Sequence, residues 1–139
     1  PDAACGIGRY PTKPGERYPN YVAAVDEDGN ERVGIPMPDV AVPLATYTGW
    51  NPRHPDTGGA GQIIPMQGST LPFAARERTG DPRPAIAERY ADRDAYVACV
   101  REAADALIAQ GYVLTDDLPL LLDNAAARYD AVMNGGRAE

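Results

Sequence analysis

Residues 40–73 read VAVPLATYTGWNPRHPDTGGAGQIIPMQGSTLPF, a stretch that holds the only Trp, the only His and the only Phe of the chain. Its first part spaces Val40, Val42 and Leu44 two apart, which would send three apolar side chains to one face of a short strand over Asp39–Tyr47. Pro43 has no N–H to give, so that strand is expected at an edge. From Gly49 onward the composition is that of a long ordered loop, with Trp50 and Phe73 anchoring it into a core.

Upstream the chain is β-leaning and irregular. Residues 1–20 carry four prolines and three glycines, too many fixed φ angles and missing donors for a helix or an interior strand, and are read as an extended leader. Tyr21–Ile35 sets apolar runs on either side of DEDGN, whose Asp28-Gly29 pair suits a tight turn, so a β-hairpin is expected. The acidic residues there do not make a calcium loop. Counted from Asp26, glycine falls at the fourth position rather than the sixth, and Met37 stands where a bidentate Glu is needed. A solvated turn is the simpler reading.

Downstream of Gly80 the pattern turns helical. Pro84 suits a first helical position, and AIAERY gives a turn or two. Asp92 is a good N-cap for a helix running to Gln110, with Tyr96, Val100, Ala103, Ala104 and Leu107 on one face. Gly111 can end it in the left-handed conformation, with Tyr112 placed for a Schellman stop. Thr115 is expected to cap a second helix, striped by Leu118, Leu121, Leu122, Ala125, Ala126, Tyr129 and Val132 and ended by Gly135-Gly136. The short link predicts an antiparallel αα-hairpin. The fold class expected is therefore α+β: leader, hairpin and loops over 1–79, a helical part over 80–139, and one unit of 139 residues.

Composition narrows the partners. The chain is 44% apolar and 24% charged, globular rather than disordered in composition. With 13 basic against 20 acidic residues, a formal charge of −7, and no basic patch interleaved with aromatics, nucleic acid is not an expected partner. No apolar run approaches the roughly 20 residues of a membrane helix, so no membrane partner is expected, and the compartment is not legible. The sequence begins at Pro1, without an initiator Met, and is expected to be processed or cut from something longer. Cys5 and Cys99 leave their pairing open. Two cysteines make no disulfide framework, and Cys99, between Ala98 and Val100, is read as a small core side chain.

No complete catalytic apparatus is written in these residues. His54, beside Arg53 and Asp56, is the side chain a catalytic reading would choose. It has no second His, and Ser69 in QGST lacks the G-x-S-x-G turn that exposes a nucleophile. A surface or hydrogen-bonded structural role is favoured for it. The Gly6-Ile7-Gly8 and Gly58-Gly59-Ala60-Gly61 runs lack the flanking residues of dinucleotide and phosphate loops. No metal site and no cofactor are expected.

Five blocks carry a resemblance: DEDGN at 26–30, PDVAVPLATYTGWN at 38–51, GSTLPF at 68–73, GDPRP at 80–84 and ERY at 88–90. In this order, from about Tyr18 to Val132, the chain resembles the C-terminal portion of bacterial alpha/beta hydrolase domain-containing proteins. The run from Ala74 to Thr79 is shorter than in that family. The resemblance implies membership of a hydrolase of esterase type, whose nucleophile elbow and triad His would lie N-terminal to Pro1 and map onto no position here. The partner implied is then the rest of the hydrolase. A helical hairpin that buries its stripe against another protein is the non-enzymatic alternative.

Overall fold

The computed structural model describes residues 16, 19 and 21–135. In chain order these form α1 (Pro38–Ala41), β1 (Ala45–Pro52), β2 (Ile63–Pro72), α2 (Ile86–Arg89), α3 (Arg93–Ala109) and α4 (Leu118–Gly135), with 3₁₀ turns at Pro55–Thr57 and Thr115–Asp117. The fold is mixed α+β, as expected, but its β part differs from the expectation in three places.

The hairpin expected over Tyr21–Ile35 is reduced to one bridge, Val25 to Glu31. Asp26 explains why. Its carboxylate accepts from the backbone N–H of both Asp28 and Asn30 at 2.9 Å, an Asx-type closure that competes with a ladder. Gly29, at φ 80°, completes the turn.

The strand expected to begin at Asp39 is instead a single helical turn. Pro38, φ preset, starts it, Asp39 sits at its positive end, and the N–H of Val42 closes on the Pro38 carbonyl at 2.9 Å. Strand pairing begins only at Ala45, two residues beyond Pro43.

The third correction concerns the long loop. Residues 45–72 are mostly an antiparallel ribbon, with Ala45 opposite Pro72, Thr48 opposite Ser69, then Trp50 opposite Pro65 and Pro52 opposite Ile63. Prolines are tolerated because a two-stranded sheet has only edge strands. Between Thr48 and Trp50 the register shifts, so that Met66, Gln67 and Gly68 face the single residue Gly49. Met66 takes φ 62° there, and a Cβ on Gly68 would lie 2.1 Å from the Thr48 carbonyl oxygen. The bulge therefore depends on glycine at 68. Of the two anchoring aromatics, Phe73 is buried and Trp50 only half-buried.

The helical part follows the sequence closely. Asp92 caps α3, its carboxylate accepting from Ala95 N–H at 2.8 Å. At the other end Gly111 adopts φ 79°. Its N–H bonds to Ile108 and that of Tyr112 to Leu107, the two bonds of a Schellman stop. α4 begins at Leu118 rather than Thr115, because residues 115–117 tighten into a 3₁₀ turn. Pro84 lies two residues before α2 rather than inside it, since Ala85 is the N-cap and Glu88 accepts from its N–H at 2.6 Å. α3 and α4 run antiparallel. Arg93 at the start of one pairs with Asp130 near the end of the other at 3.1 Å, and Tyr96 stacks on Tyr129 with centroids 5.5 Å apart.

One core joins the halves: Leu44 before β1, Phe73 after β2, Ile86 of α2, Tyr96 and Val100 of α3, and Leu122, Ala125 and Tyr129 of α4. Full burial of each larger member is worth about 1.5–3 kcal/mol before conformational entropy is set against it. Cys99, read as core, is exposed instead. On α3 it precedes Val100, which takes the inward position, and the helical turn carries Cys99 out to solvent. Cys5, the Gly6–Gly8 run and most of the leader lie outside the described residues.

Candidate functional site

The turn at 26–30 is where the most chemistry gathers. The sequence suggests a solvated turn, and Asp26, Glu27 and Glu31 are indeed exposed, but Asn30 is 1% exposed. Its carboxamide donates to the Ala45 carbonyl at 3.1 Å and accepts from Tyr47 N–H at 2.7 Å. Asn30 thus satisfies the outer edge of β1 as a neighbouring strand would. Buried amides of this kind must find such partners, because an unpaired one costs roughly 1–3 kcal/mol.

Asp28 ties the same turn to the helical part. The Arg89 guanidinium grips its carboxylate with both terminal nitrogens, one at 2.7 Å, while the Thr46 hydroxyl donates to its carbonyl oxygen. Arg89 also donates from Nε to the Pro84 carbonyl at 3.0 Å and lies 4.3 Å from the Phe73 ring centroid. Gly29 leaves room for this approach, since a Cβ there would meet Thr46 Cγ2 at 2.9 Å.

Arg83 occupies the neighbouring position, 5.1 Å from the same ring. It donates to Asp81 from Nε at 2.9 Å and Nη2 at 2.7 Å, and from Nη1 to the Thr46 hydroxyl and the Leu71 carbonyl. The hydrogen bonds from Arg83 hold the Asp81 carboxyl down at about 2, against a usual 3.8. Tyr90 donates to the Pro43 carbonyl at 3.0 Å, and burial pushes its phenol up to about 12. Burial raises Tyr47 and Tyr96 as well. These phenols stay protonated at neutral pH, Tyr90 as a hydrogen-bond donor and Tyr96 as a packing group in the core.

An open cleft of about 670 Å³ runs beside the turn, lined by Val25, Asp26, Glu27, Asp28, Arg32, Pro84 and Arg89. Two of its charged groups, Asp28 and Arg89, are occupied with each other. Among the described residues no buried side-chain polar atom lacks a hydrogen-bond partner, and no group of three or more potential ligands could hold a metal ion. No described helix is long and apolar enough to cross a membrane.

His54 stands apart from this junction. It caps the 3₁₀ turn in the ribbon's connecting loop, its Nδ1 accepting from Asp56 N–H at 3.3 Å and lying 3.5 Å from the Asp56 carboxylate, and its side chain is 71% exposed. Among the described residues no hydroxyl or thiol side chain bonds to its ring. Ser69 is engaged with Asn51, whose amide also donates to the Gln67 and Gly68 carbonyls. The histidine and the serine therefore have separate local roles in the ribbon.

Asn30, Arg83 and Arg89 were not singled out by sequence reasoning as one site. The signal that could have found them is the set of blocks itself. Asp28 and Asn30, Ala45 to Tyr47, Leu71 and Phe73, Asp81 and Arg83, and Arg89 and Tyr90 come one group from each block, and hydrogen bonds link the turn, β1 and the two arginines that lie over Phe73.

Fold and junction together define a small α+β unit clasped by two arginines stacked on one phenylalanine. The family model described as alpha/beta hydrolase domain matches residues 7–123, a span that contains all five blocks, and the chain belongs to that family. It is hydrolase-like in this sense. No curated protein and no solved structure gives a significant match to the chain.

Proposed function

We propose that this chain is the C-terminal part of a bacterial alpha/beta-hydrolase-family protein of esterase type, with the catalytic triad upstream of Pro1. In that reading the 139 residues are one unit. The unit packs against the catalytic body, and the 49–73 stretch frames the substrate entrance. The observation that carries the reading is the use made of the five blocks. They lie within the family match, yet their charged and polar groups are consumed in holding the 26–30 turn, the ribbon and α2 together. The chemistry then falls to a serine, histidine and carboxylate elsewhere in the protein. The serine attacks the ester carbonyl, the histidine takes its proton and returns it to the leaving alcohol, and water completes the cycle. No nucleic acid, membrane or cofactor enters this scheme.

The test is turnover of activated esters, with labelling by a serine-reactive fluorophosphonate, on the full-length protein and on residues 1–139 alone. Hydrolysis by the full-length protein, with the label mapped upstream of Pro1, is the expected outcome. A label on Ser69, or a full-length protein without hydrolytic activity, would reject the proposal.

A second reading is an interaction module, favoured by the exposed Tyr112, Leu114 and Leu120 around the link between α3 and α4. It requires that the full-length protein lack esterase activity and form a complex that Leu114→Ser and Leu120→Ser abolish.

A further inference from the structure

Of residues 21–37 only Asn30 is buried, while Tyr21, Val22, Val25, Val33, Ile35 and Met37 are all exposed. Its side-chain hydrogen bonds to the ribbon and to α2 come from the turn, Asn30 to Ala45 and Tyr47, the Asp28 carbonyl to Thr46 and the Asp28 carboxylate to Arg89, while residues 31–37 flank an open cleft against Tyr47–Gly49. The part from Ala24 to Arg32 carries internal hydrogen bonds of its own. Asp26 N–H bonds to the Asn30 carbonyl at 2.8 Å, Gly29 N–H to the Asp26 carbonyl at 3.1 Å and Arg32 N–H to the Ala24 carbonyl at 3.0 Å. The Asp26 carboxylate closes the turn from within.

We propose that residues 21–37 are a strap that lifts off as a unit while the ribbon and helices stay folded. Segments with little buried apolar surface belong to the low-stability end of a fold and open locally. Here the opening has a defined consequence. The Ala45 carbonyl and Tyr47 N–H lose the Asn30 carboxamide that stands in for a third strand, and the edge of β1 becomes free to pair. Lifting also separates Arg89 from Asp28. The strap is thus a cover over the outer edge of β1, independent of the functional reading proposed above.

Residue-resolved amide hydrogen exchange on the full chain tests this. Tyr47 N–H, held only by the strap, exchanges within about tenfold of Arg32 N–H. It exchanges at least about 100-fold faster than Phe73 N–H, which bonds to the Leu44 carbonyl inside the body. Arg89→Lys, which hydrogen-bonds neither Tyr47 nor Arg32, speeds exchange at both by about tenfold or more and leaves α3 unchanged. Asp28→Asn, a milder loosening of the same pin, gives the same pattern if Arg89→Lys fails to fold. Equal protection of Tyr47 and Phe73 overturns the proposal. So does a variant that speeds α3 as much as the strap, since the segment would then open only with the whole molecule.

Discussion

In the helical hairpin, α3 buries Tyr96, Val100, Ala104 and Leu107, and α4 buries Leu122, Ala125, Ala126 and Tyr129. In the segment from Tyr21 to Met37 the one buried side chain is the Asn30 carboxamide, held by hydrogen bonds to β1, beside Asp28, which Arg89 grips. The ribbon lies between these extremes, apolar where Leu44 and Phe73 enter the core and hydrogen-bonded around its bulge. One short chain thus uses two means of attachment. Apolar burial is additive and tolerant of small shifts, so it sets the stability of the whole. Directed polar contacts are worth less each but fix one relative position, so they set how the pieces are registered.

The contrast can be broken first at its strongest point. Tyr96→Ala removes a ring that stacks on Tyr129 and meets Tyr90 edge-on at 5.0 Å. It should destabilise the chain by about 3–5 kcal/mol, read from urea unfolding. A loss under about 1 kcal/mol would mean that the helical core is not what sets global stability.

Gly68→Ala probes the ribbon, because the added methyl meets backbone that cannot rotate away. The expected cost is about 1–3 kcal/mol, with ribbon resonances shifted and far-UV helical signal retained. Loss of helical signal at the same urea concentration would show the two parts to be one cooperative unit.

Asp92→Ala removes a single cap from α3 and should cost about 1 kcal/mol by the same unfolding assay. A far larger loss would make the cap, rather than the stripe, the determinant of that helix.

The Asp81–Arg83 clasp sharpens the polar side of the comparison through pH. The folded carboxyl titrates at about 2 against a usual 3.8. A depressed folded value means that the contribution is present above the usual value and is lost as pH falls toward about 2. Asp81→Asn should therefore flatten the fall in urea midpoint below about pH 4 while leaving the neutral-pH profile parallel to the parent's. An unchanged acid limb would remove the clasp from the account. The smallest effect is expected at His54→Ala, within about 0.5 kcal/mol and, on the esterase reading proposed above, without change in ester turnover. A large drop in turnover would return His54 to candidacy as a base.

Much of the helical part is legible in the sequence. Asp92, Gly111 and the three-and-four spacing of the stripe are local signals, and the expected stop at Gln110 is the observed C-cap. The ribbon was not legible, because Pro52, Pro65 and Pro72 argue against a strand unless it is known that each strand has a free edge. Cys99 was misplaced because position 99 neighbours the stripe in sequence but not around the helix. Of the junction, DEDGN was visible only as a turn. Nothing local distinguishes an Asn that faces water from one that serves as a substitute strand.

By itself the sequence determined the things that depend on neighbours a few residues away: an α+β composition, two capped helices joined by a Gly stop, a tight turn at Asp28-Gly29, and the ordered blocks that carry the family resemblance. Tertiary structure alone decided that Asp28 and Arg89, 61 residues apart, would meet over Phe73. It also decided that Asn30 would complete the edge of β1, and that Met66–Gly68 would bulge against Gly49. Capping and periodicity are energies of the local chain. A buried carboxamide or a stacked guanidinium acquires its value only when distant segments have already excluded water around it.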